Sequence, residues 1–158
     1  MKKVFYLFLV LSVLSSCAIK TNQLRFSKFE ITDKGVSRIM VDENGIIKRS
    51  GSGDRIGKIN KNGTFNDKDG NLVLKITDDN FLQNKDGKKL IKIDANGKMD
   101  NGSGMYIEWS ESGELLKGNK KTGMRITPVD KKSFRAASTI LFIYLSDGAI
   151  KTSGPISE

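Results

Sequence analysis

One pattern dominates the sequence: a glycine-marked segment recurs about every 17 residues through most of the chain. Gly35, Gly53, Gly70, Gly87 and Gly104 follow one another at steps of 18, 17, 17 and 17 residues. A second series trails the first by about ten residues and comprises Gly45, Gly63, Asn80, Gly97 and Gly113. A unit of this length is one small hairpin, which cannot bury its own apolar face, so the units must pack against one another.

The residues around each marked position are those of tight turns. The tetrapeptides TDKG, DENG, NKNG, DKDG, TDDN, NKDG, DANG and SESG combine Asp, Asn, Ser or Thr with a final Gly or Asn. Glycine adopts positive φ at no steric cost, and Asn is the next most tolerant residue, which accounts for Asn80 within the glycine series. We therefore predict left-handed turn residues at all ten marked positions.

Short β-prone runs lie between the turns, and each period holds one longer and one very short strand. Apolar residues recur at the same two places in every unit, and charged residues stand beside the first of them. This alternation at period two is typical of half-buried strands, so we expect the two apolar columns to form a shared core. The first column is Val41, Ile59, Ile76, Ile93 and Trp109, the second is Ile47, Phe65, Leu82, Met99 and Leu115, and the charged neighbours are Lys58, Lys75, Lys92 and Glu108.

The best-preserved unit, RIGKINKNGTFNDKDG, resembles the repeat of the small bacterial β-flower proteins. That repeat reads roughly Ile-Gly-x-Ile-x-x-x-Gly-x-Phe/Val-x-Asp-x-x-Gly, although the later units have Leu74 and Ile91 where Gly57 stands. The matching units cover residues 35–113, with degenerate flanks. The resemblance implies hairpins that radiate around a central axis, and it brings no catalytic residues with it. We expect a mainly β fold of about five to six such repeats arranged around an axis.

The segment after the repeats, PVDKKSFRAASTILFIYLSDG, breaks the pattern because no turn glycine lies between Pro128 and Gly148. Asp130 is placed to cap a helix, and Gly148 is placed to end it. Apolar residues surround most of the circumference of such a helix, which is typical of a buried one. We predict a helix packed on or in the repeat core, with a final β-strand as the alternative.

The N-terminus has the layout of an export signal. A basic start precedes an apolar run that is short for a membrane-spanning helix and has the size of the hydrophobic region of a signal peptide. The run ends in a motif that resembles a bacterial lipobox and comprises Leu14, Ser15, Ser16 and Cys17. The resemblance implies cleavage before Cys17 and lipidation of its thiol and its new α-amine. Cys17 is the only cysteine, so no intramolecular disulfide can form.

These features divide the chain into five parts. We expect a cleaved signal peptide (1–16), a lipid-anchored tether (17–28), the hairpin repeat domain (29–128), the buried helix (129–150) and a frayed tail (151–158). The lipobox implies a lipoprotein of the bacterial cell envelope, and we expect it at the outer membrane, facing the periplasm or the cell surface.

Composition and spacing argue against catalysis. The 158-residue chain contains no His, which is the commonest general base and metal ligand. The Asp-rich turns lack the ligand spacing of an EF-hand, and their carboxylates lie on turns expected to be exposed rather than in the apolar surroundings that a general acid needs. We therefore expect no enzyme, and we predict no catalytic residue, no cofactor and no metal site.

Charge bears on the partners. The net charge of +9 becomes +7 when Lys2 and Lys3 leave with the signal peptide. The lysines are dispersed and form no cluster with aromatic residues, which is typical of a solvated surface. We expect no nucleic-acid partner, and a protein or an anionic glycan stays open as the partner. Two functions stay open: a structural or interaction protein, and a small-ligand or glycan binder that uses Tyr106 and Trp109. A concavity containing Tyr106 favours the binder, whereas a Trp109 sealed in the core weakens it.

Overall fold

The computed structural model describes residues 23–152, with side-chain positions as far as residue 146. In this part of the chain, twelve short antiparallel strands form a closed barrel in which successive strands pair, and the last strand pairs with the first. The mainly β fold with one C-terminal helix is confirmed. The strands are β1 Phe29–Asp33, β2 Val36–Val41, β3 Ile46–Arg49, β4 Arg55–Ile59, β5 Thr64–Asp67, β6 Leu72–Ile76, β7 Phe81–Asn84, β8 Lys89–Ile93, β9 Met99–Asp100, β10 Tyr106–Trp109, β11 Glu114–Lys117 and β12 Lys120–Thr127.

The two series of turns lie at opposite ends of the barrel, because turns of an up-and-down barrel alternate between its rims. We call the end that carries the first series the open rim, since a Cβ added at Gly35, Gly53, Gly70 or Gly104 meets no atom within 4 Å. The other end carries the second series. We call it the helix rim, because β12 leads there directly into the helical segment.

The inner face of the barrel is apolar. All ten residues of the two predicted columns are buried, which confirms the shared core. In one representative hairpin, Ile76 of β6 stands opposite Leu82 of β7, and both point inward beside Leu74. Among the charged neighbours, Lys75 and Lys92 are exposed, whereas Lys58 and Glu108 are half-buried.

Successive hairpins are linked by a repeated hydrogen bond at the helix rim. The carbonyl of a second-series residue accepts from the backbone N–H of the inward Ile on the next long strand, as from Ile59 to Gly45 at 2.9 Å and from Ile93 to Asn80 at 2.7 Å. Gly63 and Gly113 accept in the same way. The Gly97 carbonyl differs, because it accepts from the hydroxyl of Ser138 on the helix at 2.5 Å.

The helical segment fills the barrel. A 3-10 turn, Lys131–Ser133, precedes helix α1, Phe134–Thr152, and the side chain of Asp130 caps the turn by accepting from the N–H of Lys132 at 3.1 Å. Residues 133–141 are all buried, so this part of the helix is enclosed on every side, and the alternative of a final strand is wrong. No helix within residues 23–152 is long and apolar enough to cross a membrane.

Two expected boundaries differ from the structure. The helix starts at Phe134 and continues through Gly148 to Thr152, instead of spanning 129–150 and ending at Gly148. A lone glycine costs about 1 kcal/mol in a helix and does not by itself end one. The stretch just before β1 is also fixed, since Leu24 is buried and its N–H donates to the carbonyl of Lys61 at 2.8 Å. The tether expected at 17–28 therefore ends before Leu24.

Candidate functional site

Several acidic residues close their own turns through hydrogen bonds, namely Asp42, Asp67, Asp94 and Asp100. One Asp42 carboxylate oxygen accepts from the N–H groups of Asn44 and Ile46, both at 2.9 Å. Asp67 is held similarly, and the hydrogen bond from the Asn71 side chain is the largest cause that lowers the pKa of Asp67. Such a carboxylate is stabilised as an ion, which is the opposite of what a general acid needs.

The same use of the carboxylates bears on metal binding. Oxygens that already accept backbone N–H groups are directed into their own turns. Within residues 23–152, no group of three or more potential metal-ligating side chains converges. The turns are accounted for by their role in the fold.

Trp109 is part of the interior. Its side chain is 8% exposed, and its ring stacks on that of Phe134 with centroids 5.8 Å apart. The indole Nε1–H donates to the hydroxyl of Ser138 at 2.9 Å. Because Ser138 donates in turn to the Gly97 carbonyl, the indole is tied to the helix and to the helix rim. Trp109 is therefore unavailable to a ligand, which weakens this part of the binding hypothesis.

Arg135 is a buried cation on the helix. Its guanidinium donates from Nη2 to the side-chain oxygen of Asn80 at 2.8 Å. Burial lowers the pKa of Arg135, and the neighbouring Asp94 carboxylate partly offsets that effect. The contact joins the helix to a turn of the helix rim, so we interpret Arg135 as a structural residue.

Tyr106 lies in a concavity on the outside of the barrel at the open rim. The ammonium of Lys98 stands over its ring, 3.7 Å from the centroid, in a cation–π contact. The concavity has a volume of about 600 Å³. We call this site the Tyr106 concavity. Its lining residues are Ser103, Gly104, Met105, Tyr106, Lys117, Gly118 and Lys120.

Two other concavities are present in the described part of the surface. One, also about 600 Å³, runs over the outer face of β1 to β3 beside Met40, Ile46 and Pro128. The other, about 250 Å³, lies by Glu114, which is paired with Lys121 at 2.8 Å. Neither contains an aromatic side chain that is at least partly exposed and flanked by lysines.

The ten marked turn positions all have positive φ, from +68° at Asn80 to +90° at Gly70. The lipobox residues Leu14, Ser15, Ser16 and Cys17 lie outside the described residues. Lys117 and Lys120 were missed from the sequence, where they stand among many dispersed lysines. The pairing of β10 with β11 sets Lys117 opposite Ile107, and the β11–β12 turn brings Lys120 beside Lys117. Comparison with protein-family models, with curated proteins and with solved structures found no match to this chain.

Proposed function

We propose that the protein is a lipid-anchored component of the bacterial cell envelope with a non-catalytic structural or interaction role. The N-terminal motif carries this proposal: a basic start, a short apolar run and then Leu-Ser-Ser-Cys. Cys17 is the acylation site in this proposal, and the acyl chains hold the protein at the membrane. Several chains give stable anchoring, since each buried CH₂ contributes about 0.8 kcal/mol. We place the protein at the outer membrane.

The position of Leu24 supports an anchor close to the folded domain. Leu24 follows Cys17 by only seven positions, and its side chain is packed at the helix rim. Seven extended residues span at most about 25 Å. In this proposal the helix rim faces the membrane, and the open rim faces away from it.

A binding or scaffolding role fits the way the described polar groups are used. Carboxylates such as those of Asp42 and Asp94 accept backbone N–H groups, and the barrel interior is occupied by the helix. We also propose that the five glycine-marked units form one structural repeat of the β-flower kind. The repeated bond between successive hairpins at the helix rim supports this assignment.

Acylation is tested with Cys17→Ser, because serine cannot carry the thioether-linked lipid. We expect the variant to keep its signal peptide, to lack the mass of the acyl chains and to leave the outer-membrane fraction. Ser16→Ala is the matched control, since it keeps a small residue beside Cys17 and should be processed normally. Membrane fractionation and intact-mass spectrometry give the result. A Cys17→Ser protein with unchanged mass and membrane retention would falsify the lipoprotein proposal.

A second candidate function is the binding of a small ligand or glycan. The observation that favours it is the Tyr106 concavity, in which a half-buried aromatic ring is flanked by lysines. Pockets of about 300–1,000 Å³ are the usual size for such ligands. This candidate is compatible with anchoring, because the concavity lies at the rim away from the proposed membrane side.

A further inference from the structure

The Tyr106 concavity forms where the repeat is interrupted. Strand β9 has only two residues, Met99–Asp100, whereas the other strands have four to eight. The loop that follows contains Gly102 and Gly104, both with positive φ and with open space around the α-carbon. The sheet is therefore shorter along the barrel axis at this point. The glycine loop and the β11–β12 turn form the two sides of the resulting notch.

The notch is basic. Among the described residues, neither Lys117 nor Lys120 has an ion-pair partner within 4 Å, so both ammonium groups are available to a ligand. Lys98 adds a third cation above the Tyr106 ring, although the Glu108 carboxylate is 3.9 Å from it. The nearby Asp100 carboxylate is turned into its own loop, where it accepts from the N–H of Gly102 at 2.7 Å.

The two rims differ in charge in a way that favours an anion at this end. The turn residues of the open rim carry four lysines and three aspartates, whereas those of the helix rim carry six acidic residues and two lysines. The open rim therefore carries a small net positive charge, whereas the acidic turns of the helix rim are partly offset by neighbouring cations such as Lys131, which pairs with Glu111.

The notch also offers apolar surface. Met105 is 53% exposed, and it lines the concavity together with Tyr106. Ligand pockets are typically lined by hydrophobic and aromatic side chains with a few polar or charged groups among them. The apolar faces of sugar rings can cover this surface while their carboxylates reach the lysines at its edge. A small inorganic anion would leave it uncovered.

From these observations we infer that the Tyr106 concavity binds an acidic polysaccharide, with Lys117 and Lys120 pairing the uronate carboxylates and Met105 and Tyr106 contacting the sugar rings. The inference rests on the second candidate function and names its ligand class. It does not depend on acylation, because the site lies wholly within the folded domain.

The test uses the full chain purified in detergent and three polymers. Polygalacturonate supplies carboxylated sugars, fully methyl-esterified polygalacturonate supplies the same sugars without charge, and polyglutamate supplies carboxylates without sugars. Titration calorimetry compares the native chain with K117Q/K120Q and with K85Q/K88Q. The second pair removes the same charge from another turn of the open rim, outside the concavity. Near-ultraviolet circular dichroism checks that each variant is folded.

We expect polygalacturonate to bind the native chain more tightly than either other polymer. K117Q/K120Q should weaken this binding about five- to tenfold, and K85Q/K88Q by less than about twofold, with all binding reduced at high salt. Equal losses in the two variants would show diffuse attraction and overturn the site. Equal binding of polyglutamate would overturn the sugar class. Preference for the neutral ester would overturn the anionic class yet keep glycan binding, and binding of none would overturn both.

Discussion

Gly97 and Gly70 have the same left-handed backbone but very different surroundings. A Cβ at Gly97 stands 2.6 Å from the backbone carbon and oxygen of Phe134, whereas a Cβ at Gly70 meets nothing within 4 Å. We predict that Gly70→Ala lowers the free energy of unfolding by about 1–2 kcal/mol, the cost of the left-handed conformation. Gly97→Ala adds a clash with the helix backbone that costs about 1–3 kcal/mol more. Denaturant midpoints compare the two, and equal losses would contradict the close packing of this turn on the helix.

Asn80 shows how a contact distant in sequence can reverse an expectation from local conformation. Asn80 is the one non-glycine in its series, so the sequence alone predicts that Asn80→Gly is neutral or mildly stabilising. In the fold its side-chain oxygen accepts from buried Arg135. We therefore predict that Asn80→Gly destabilises the protein by about 1–3 kcal/mol, as for hydrogen bonds to charged groups. Asn80→Asp keeps the acceptor and should be close to native in thermal melts. An Asn80→Gly protein as stable as the native one would remove the structural role of Arg135.

At the level of single elements, the sequence predicted the existence of the helix but not its contacts. Asp130 and the all-round apolar pattern were sufficient to place a buried helix near its position. The role of its polar residues could not be predicted from the sequence. Ser138, for example, forms hydrogen bonds with Trp109 and Gly97, which lie 29 and 41 residues earlier in the chain. Hydrogen bonds of that range depend on the closed barrel, so no local pattern in the sequence reports them.

For a side chain of its size, Ser138 should contribute more to the free energy of unfolding than any other described residue of the helix. Its buried hydroxyl accepts from Trp109 and donates to Gly97, so Ser138→Ala leaves two buried polar groups without that partner. We predict a loss of about 2–4 kcal/mol in the free energy of unfolding. Thr139→Val is the matched control, since among the described residues the Thr139 hydroxyl bonds to the Arg135 carbonyl of its own helix alone. This change should cost less than about 1.5 kcal/mol. Urea unfolding followed by Trp109 fluorescence measures both, and a smaller loss for Ser138→Ala than for Thr139→Val would refute the assignment.

For the whole molecule, the period in the sequence was enough to predict hairpins and a shared core, but not ring closure. Closure pairs Ile31 of β1 with Ile126 of β12, and both strands belong to flanks where the repeat is degenerate. A turn specifies only the two strands that it joins, so the meeting of the first and last strands follows from the curvature of the complete sheet. By contrast, Lys117 reaches the Tyr106 concavity through the pairing of β10 with β11, where it stands opposite Ile107, and the sequence pattern marked the turn at Gly113 without singling out this lysine.

The barrel and the helix should fold only together. Each strand contributes few inward side chains, and those side chains pack on the helix, where Leu141 is 1% exposed. Removing residues 129–158 would leave the apolar inner face without its filling, and a domain of this size has only about 5–15 kcal/mol of stability to lose. We predict that the truncated protein, prepared from residue 18, is unfolded or aggregated.

The control for this prediction is deletion of residues 153–158 alone, which should leave the thermal melt unchanged. The opposing view is that the C-terminal segment lies on the membrane beside the lipid anchor and contributes nothing to the barrel. That view predicts a normally folded barrel without residues 129–158 and weaker membrane association. Circular dichroism melts of the two deletions distinguish the views. A cooperative melt at the native temperature in the longer deletion would show that the barrel holds its shape without the helix, which the burial of residues 133–141 argues against.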